Sequence, residues 1–167
     1  TAGEGQNSAR VFAGIDIAKV VIANDLLAGL GDGSGVIQAG RHILKATVAG
    51  DLLGDFVEDS GERSGGLFAA GDIRSVAIGG GITGGDGAST GAIAADGNLR
   101  KVTVAGNVVG GDGTGSGAVT AGAKITSATI EGKLIGGSGD RSGSLASGLN
   151  PAASGNLTSA AIHGGIE

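Results

Sequence analysis

The segment Ile73-Arg-Ser-Val-Ala-Ile-Gly-Gly-Gly-Ile82 recurs, with conservative replacements, as Leu99-Arg-Lys-Val-Thr-Val-Ala-Gly-Asn-Val108. The two copies start 26 residues apart, and Gly84-Gly-Asp-Gly87 returns at the same interval as Gly110-Gly-Asp-Gly113. A fixed period of this length is the signature of repeat architectures, in which each repeat packs on its neighbours. The repeat therefore decides the fold class of this chain.

The same unit extends over the whole chain, which we interpret as a single domain, residues 1–167. Positions within the unit are numbered from Ile73 as position one. Complete units lie at 17–42, 43–72, 73–98, 99–124 and 125–156, with partial units at 1–16 and 157–167. Two complete units exceed 26 residues, by four residues around 57–63 and by six at 150–155. These extra residues are expected to form loops.

Four positions of the unit are aliphatic in every copy, and their spacing has the period of two that indicates half-buried strands. Position one holds Ile17, Ile43, Ile73, Leu99, Ile125 and Leu157. Position six holds Ile22, Val48, Ile78, Val104, Ile130 and Ile162. Position ten holds Leu26, Leu52, Ile82, Val108, Leu134 and Ile166. Position twenty-one holds Val11, Ile37, Leu67, Ile93, Val119 and Leu145. Position twenty-three is Ala in every copy except for Ser147.

The composition excludes a helical repeat and a conventional globular core. The chain has 38 Gly, three Phe, one Pro and no Cys, Met, Trp or Tyr. Gly interrupts every unit, and β-branched residues stand where a helix favours Ala, Leu, Glu and Lys. We therefore predict an all-β parallel β-solenoid of about six coils of about 26 residues. Each coil has two or three short strands and Gly-rich corners, and no terminal caps are expected.

Charge narrows the partners. The net charge of −5 argues against nucleic acid, which needs a basic surface, and no apolar run is long enough to span a membrane. Cationic side chains nevertheless recur at positions two and three, on one predicted face. They are Lys19, Lys45, Arg74, Arg100 and Lys101.

Asp32, Asp86, Asp112 and Asp140 fall in the Gly-rich corners. Carboxylate oxygens in Gly-rich turns suit Ca²⁺, which makes these four residues the candidate metal ligands. The alternative is that Asp is simply a good turn former and needs no metal. Each coil offers a single Asp, unlike a nine-residue calcium repeat, so we expect no cofactor and retain Ca²⁺ as the alternative.

No catalytic constellation is apparent, and we predict that the chain is not an enzyme. Gly87-Ala-Ser-Thr-Gly91 fits the nucleophile-elbow pattern, but no strand-to-helix turn surrounds it. Gly79–Gly84 fits G-x-G-x-x-G without the βαβ unit that nucleotide binding requires. His42 and His163 occupy different positions of the unit, and neither has a fixed acidic partner.

The two partial units are complementary, because one supplies the start of a coil and the other supplies its remainder. An uncovered strand edge favours pairing with another strand. We therefore predict head-to-tail contact between copies, as a homopolymer or as covalent tandem repeats. The predicted interface residues are Val11, Ile17, Ile22, Leu157, Ile162 and Ile166.

The units beginning at Ile73 and Leu99, each followed by Gly-Gly-Asp-Gly, resemble the Gly-rich β-solenoid repeats of very large, adhesin-like bacterial surface and secreted proteins. The resemblance covers the whole chain as a pattern. It implies an extracellular or cell-surface location of bacterial type and a structural or adhesive role, and it transfers no catalytic residue. We expect a structural protein of a filament or surface fibre. The alternative is a binding module whose inserted loops hold a carbohydrate or Ca²⁺.

Overall fold

The computed structural model describes residues 4–56 and 61–167. Within these residues the chain forms 18 β-strands and no helix, and the strands pair in parallel in three sheets. The chain visits sheets A, B and C in turn, which is the path of a parallel β-solenoid. The predicted fold class is confirmed.

The strand bounds show the regularity of this path. Sheet A contains β1 (Val11–Ala13), β4 (Ile37–Ala39), β7 (Leu67–Ala69), β10 (Ile93–Ala95), β13 (Val119–Ala121) and β16 (Leu145–Ser147). Sheet B contains β2 (Val20–Ile22), β5 (Ala46–Val48), β8 (Ile73–Ile78), β11 (Leu99–Val104), β14 (Lys124–Ile130), β17 (Asn156–Leu157) and β18 (Ala160–Ile162). Sheet C contains β3 (Leu26–Leu27), β6 (Leu52–Leu53), β9 (Ile82–Thr83), β12 (Val108–Val109) and β15 (Leu134–Ile135).

These strands make about five complete turns, each with one strand from every sheet, whereas the sequence predicted about six coils. A sixth layer follows, built from β16, β17 and β18 and closed by a bridge between Leu134 and Ile166. The two counts agree once the partial units are considered. Residues 1–16 begin the first turn, and residues 157–167 contribute only part of the sixth layer.

Every predicted aliphatic column is a ladder of paired residues. Ile93 pairs with both Leu67 and Val119, and Val104 pairs with both Ile78 and Ile130. Inward side chains of all three sheets form one apolar cluster, and its central members are 0–3% exposed. A single thin layer per turn fills this interior, because Ile, Leu, Val and Ala have nearly the same height along the rod.

The corner from sheet C to sheet A, here called the C/A corner, is a compact turn stitched by a buried hydroxyl. In one turn the Thr90 hydroxyl accepts a hydrogen bond from the Gly85 N–H and donates one to the Gly87 carbonyl oxygen, both at 2.9 Å. Gly91 has φ +54°, and a Cβ there would lie 2.0 Å from the Thr83 carbonyl oxygen. Gly is therefore required where the turn closes on its own strand.

The same hydroxyl recurs in successive C/A corners. The buried members, each 0–7% exposed, are Ser34, Ser64, Thr90, Ser116 and Ser142. Ser34, Ser116 and Ser142 accept the N–H of the residue five positions earlier, as Thr90 does. Since a buried backbone donor without a partner is costly, this column stabilises each turn independently of the apolar core.

Side-chain ladders also stabilise the other two corners. Between sheets A and B, Asp16 accepts the His42 N–H, the His42 ring accepts the Asp72 N–H, and Asp72 accepts the Asn98 N–H, at 2.8–3.0 Å. Between sheets B and C, acceptor side chains bond the next layer in the same way. They are Asp25, Asp51 and Asn107. Carboxylates and amides at these corners therefore have a structural role.

Candidate functional site: the open ends of the solenoid

The N-terminal end of the rod is the free edge of the layer formed by β1, β2 and β3. In the part of the chain that the structure describes, no strand pairs with this side of the layer. The Val11 N–H donates to the Val36 carbonyl, and the Ala13 carbonyl accepts from the Gly40 N–H, so both residues face the second layer. Because backbone direction alternates along a strand, the intervening Phe12 directs its N–H and C=O to the free edge.

The C-terminal end is the opposite edge, formed by β16, β18 and Ile166. The Leu134 N–H donates to the Gly165 carbonyl, and the Leu134 carbonyl accepts from the Glu167 N–H. By the same alternation, the N–H and C=O of Ile166 face away from the rod. Leu145 and Ile162 occupy equivalent places in their strands, paired with Val119 and Ile130.

The exposed apolar side chains at the ends include three of the predicted interface residues. Val11 and Leu157 are each 41% exposed and Ile166 is 72% exposed, whereas Ile93 and Ile125, from the same columns, are fully buried in the middle of the rod. Ile22 and Ile162, also predicted, are half-buried.

Ile17 differs from the other predicted interface residues. It is 7% exposed, because its side chain already packs in the core cluster of the first turns. Its backbone faces the second layer, since its N–H donates to the His42 carbonyl and its C=O accepts from the Leu44 N–H. Ile17 therefore contributes to the stability of the first layer and offers little surface at the end.

The two edges have complementary backbone groups. At the C-terminal edge the outward groups belong to the column of Leu145 and Val11, and at the N-terminal edge they belong to the next column, that of Phe12. Parallel pairing joins two such sets, because each residue bonds to the two residues that flank its partner. A second copy placed on the C-terminal edge would therefore continue the ladders, with its Val11 opposite Leu145.

Ion pairs connect the first layer to the second at the corner between sheets A and B. The Arg41 guanidinium binds the Asp16 carboxylate through two contacts, at 3.0 and 2.5 Å. Hydrogen bonding from Arg41 lowers the pKa of Asp16 to about 2, and it raises the pKa of Arg41. Both side chains are solvent-exposed, so the pair orders this corner more than it stabilises the fold.

Asp72 lies further along the same corner and is more enclosed. Burial acts to raise its pKa, but the hydrogen bonds from the Asn98 backbone and side chain, with the charges of His42 and Arg100, outweigh burial and lower it. The Arg100 guanidinium lies 3.7 Å from the carboxylate. Asp72 is thus held as an anion that accepts backbone hydrogen bonds, which is a structural role.

The four candidate calcium ligands lie in the C/A corners but at two different places in the turn. Asp86 and Asp112 stack in adjacent layers, because the flanking Gly85 and Gly87 lie against Gly111 and Gly113. Asp32 and Asp140 lie two residues further along the turn and several layers apart. Within residues 4–56 and 61–167, no group of three or more His, Cys, Asp or Glu side chains could hold a metal ion.

Two of these aspartates have protein partners. The Asp112 carboxylate accepts a short hydrogen bond from the Ser138 hydroxyl, and Asp32 accepts the Glu62 N–H at 2.9 Å. The sequence placed all four carboxylates in one stacked column. The error arises because runs of Gly align in several ways, and only the bonds between layers fix the alignment.

The nucleophile-elbow match at Gly87–Gly91 is one of the C/A turns, and the Thr90 hydroxyl is buried and bonded within it. His42 accepts a backbone N–H, and the His163 Nδ1 lies 2.6 Å from Glu131. The residues of these motifs therefore have structural partners.

A shallow groove on the outer face of sheet A was not predicted. Its floor includes Phe68 and Ala94, and Arg63 lies over the Phe68 ring, 4.5 Å from the ring centre. Leu149 and Pro151, from the second inserted loop, line its other end. The outward residues of sheet A could have indicated the groove, since Val36, Phe68 and Ala92 are apolar at positions that alternation assigns to the outside.

Comparison of the chain with protein-family models, with curated proteins and with solved structures found no match. In residues 4–56 and 61–167 there is also no helix with the length and hydropathy needed to cross a membrane.

Proposed function

We propose that the chain is a structural protein, a subunit or tandem segment of an extracellular filament or surface fibre of bacterial type. Copies meet head-to-tail through the open coil ends, and the chain has no enzymatic role. The observation that supports this most is the complementarity of the two edges, each of which is a layer of one repeating unit. The extracellular setting follows from the resemblance of the repeats to those of bacterial surface proteins.

The contact at the ends has a clear physical basis. Leu157 and Ile166 at one end and Val11 at the other expose apolar surface that is buried in every internal layer. Burying one aliphatic side chain contributes about 1.5–3 kcal/mol, and the junction adds backbone hydrogen bonds to each sheet. The contact joins unlike faces and does not close on itself, so it yields a filament.

The filament has a measurable repeat. Six layers at a strand spacing of about 4.8 Å give an axial rise of about 29 Å per copy. Negative-stain microscopy and sedimentation of the native material at high concentration test the assembly directly. Discrete monomers under these conditions would overturn the proposal.

Variants at the C-terminal edge separate assembly from folding. The Ile162 N–H faces the free edge, so Ile162→Pro removes a donor that is used only at a junction. We expect this variant to keep the circular dichroism spectrum of the native rod and to form shorter filaments. Val21→Asp is the matched control, because Val21 is 55% exposed on the outer face of sheet B and lies outside the core columns.

The alternative function is an extracellular adhesin or binding module, and the groove on sheet A supports it. Glu62 and Arg63, which follow the first insertion, and Leu149 and Pro151, within the second, all line this face. Carbohydrate or Ca²⁺ is the ligand class to test, by glycan arrays and by calorimetry with Ca²⁺. Saturable binding that Arg63→Ala abolishes, in a rod that does not polymerise, would favour the binding module.

A further inference from the structure

The outer face of sheet B carries a row of cations. Lys19, Lys45, Arg74, Arg100 and Lys101 are all exposed there, so the first four layers each present at least one cation. Pairing places Lys101 beside Ser75 in the next layer, and it places the Arg100 column beside Arg74. Arg100 contacts Asp72; among the described residues the other four form no ion pair.

The C/A corner carries a row of acids. Five successive corners each present one carboxylate in the turn between sheets C and A. They are Asp32, Glu62, Asp86, Asp112 and Asp140. Sheet B is the one sheet that this corner does not join, so the acidic row and the cationic row lie on opposite sides of the core.

Each row is unfavourable on its own, because like charges in adjacent layers lie about 5 Å apart. A partner that relieves the repulsion must carry opposite charge at the same spacing. The chain itself meets this condition, since both rows follow the period of the same coil. Any two rods that lie side by side therefore match in spacing along the whole shared length.

We propose that the rods associate laterally, with the cationic face of one copy against the acidic corner of a second copy. The contact joins unlike surfaces, so it repeats from rod to rod and builds a flat array or a bundle. It is independent of the end-to-end contact, because it changes the width of an assembly and leaves its length unchanged. A filament of such rods would thicken into a sheath or a fibre.

Charge exchange provides the test. One variant reverses the cationic face, Lys45→Glu with Lys101→Glu, and a second reverses the acidic corner, Asp112→Lys with Asp140→Lys. Lys124→Glu is the matched control, because Lys124 lies at the corner between sheets A and B. Circular dichroism melting of each variant establishes that the rods remain folded.

Small-angle scattering and sedimentation report the cross-section and mass. At about 0.01 M salt, where the Debye length is about 30 Å, the wild type should associate laterally, and at about 1 M salt it should not. Each reversed variant alone should associate at least about tenfold more weakly, and an equimolar mixture of the two should recover wild-type association. The control should behave as the wild type does.

Three results would overturn the proposal. The first is a wild-type cross-section that does not change with salt. The second is a mixture of the reversed variants that stays as weakly associated as its components. The third is a rod that remains single at low salt while its cationic face binds inorganic polyphosphate, which would assign that face to a polyanion. Loss of filaments with retained lateral pairing would refute the head-to-tail proposal and leave this one intact.

Discussion

Replacing Thr90 by Val should destabilise the rod, although the two side chains have nearly the same shape. Thr90 is fully buried, and its hydroxyl accepts from the Gly85 N–H and donates to the Gly87 carbonyl, both at 2.9 Å. The Val variant keeps the volume and loses both hydrogen bonds. The Gly85 donor is then left without this acceptor inside the turn.

The size of the effect follows from that unpaired donor. A buried polar group that loses its partner costs about 1–3 kcal/mol of unfolding free energy. For a chain of this length each kcal/mol lowers Tm by about 2–4 °C, so the expected loss is about 2–12 °C. Thr90→Ser is the matched control, because it keeps the hydroxyl and removes one methyl group, at a cost of about 0.8 kcal/mol.

Guanidinium unfolding of the three proteins gives the comparison, and hydrogen exchange at the Gly85 amide locates the effect. We expect Val to be less stable than Ser, with faster exchange confined to the C/A corner of that turn. Equal stability of Val and wild type, or a Ser variant that is the least stable of the three, would refute the role assigned to the hydroxyl.

Three further predictions concern the core, acid stability and metal. Ile78→Asp places an unpaired charge in the core and should cost about 3–5 kcal/mol in a melting experiment, whereas Ala77→Asp on the outer face should cost about 0.5 kcal/mol or less; similar melts would contradict the inward placement of Ile78. The pKa of Asp16 is lowered to about 2 from 3.8, chiefly by its hydrogen bond from Arg41, so the stability it contributes is present above its ordinary pKa and is lost as the pH falls through about 2. Asp16→Asn should therefore flatten the fall in Tm between about pH 4 and pH 2, and an unchanged slope would exclude this origin. Addition of Ca²⁺ or of a chelator should leave Tm unchanged, because the corner aspartates occupy two different places in the turn; a shift of several degrees would reinstate a calcium site.

The apolar ladders could be predicted from sequence because the interior admits one side chain per column per turn. A residue such as Val104 must match Ile78 below it and Ile130 above it, so the constraint repeats with the period of the coil. Insertions do not disturb this pattern, since extra residues leave the rod as loops. The columns, the sheets and the parallel register follow from that one rule.

The hydroxyl column carried an equally regular signal that apolar alternation does not detect. Every turn has Ser or Thr at position eighteen, followed by Gly in all turns except the first, where Ala9 takes its place. The motif around Thr90 looked like a chance match to a nucleophile elbow because its five counterparts were not aligned with it. A polar residue that recurs once per coil predicts a buried backbone partner as reliably as a recurring Ile predicts a core position.

The positions of the corner carboxylates and the groove on sheet A could not be predicted in the same way. Gly-rich turns contain few side chains that fix an alignment, so Asp32 and Asp86 seemed equivalent although their places in the turn differ by two residues. The groove depends on where Arg63 and Leu149 fold back over the sheet, which is a tertiary property of two insertions. Neither feature repeats from coil to coil.

The two ends of the rod are physically different, and this difference gives the assembly a direction. Leu157 and Ile166 are 41% and 72% exposed at the C-terminal edge, whereas their counterparts Ile17 and Leu26 are 7% and 8% exposed at the N-terminal edge. Side chains of one column thus lean toward the C-terminal end, covering the layer there and leaving the last layer uncovered. Two C-terminal edges facing each other would bring strands together in opposite directions and break the parallel register. Only head-to-tail contact covers the protruding side chains and continues all three sheets, so the filament must be polar.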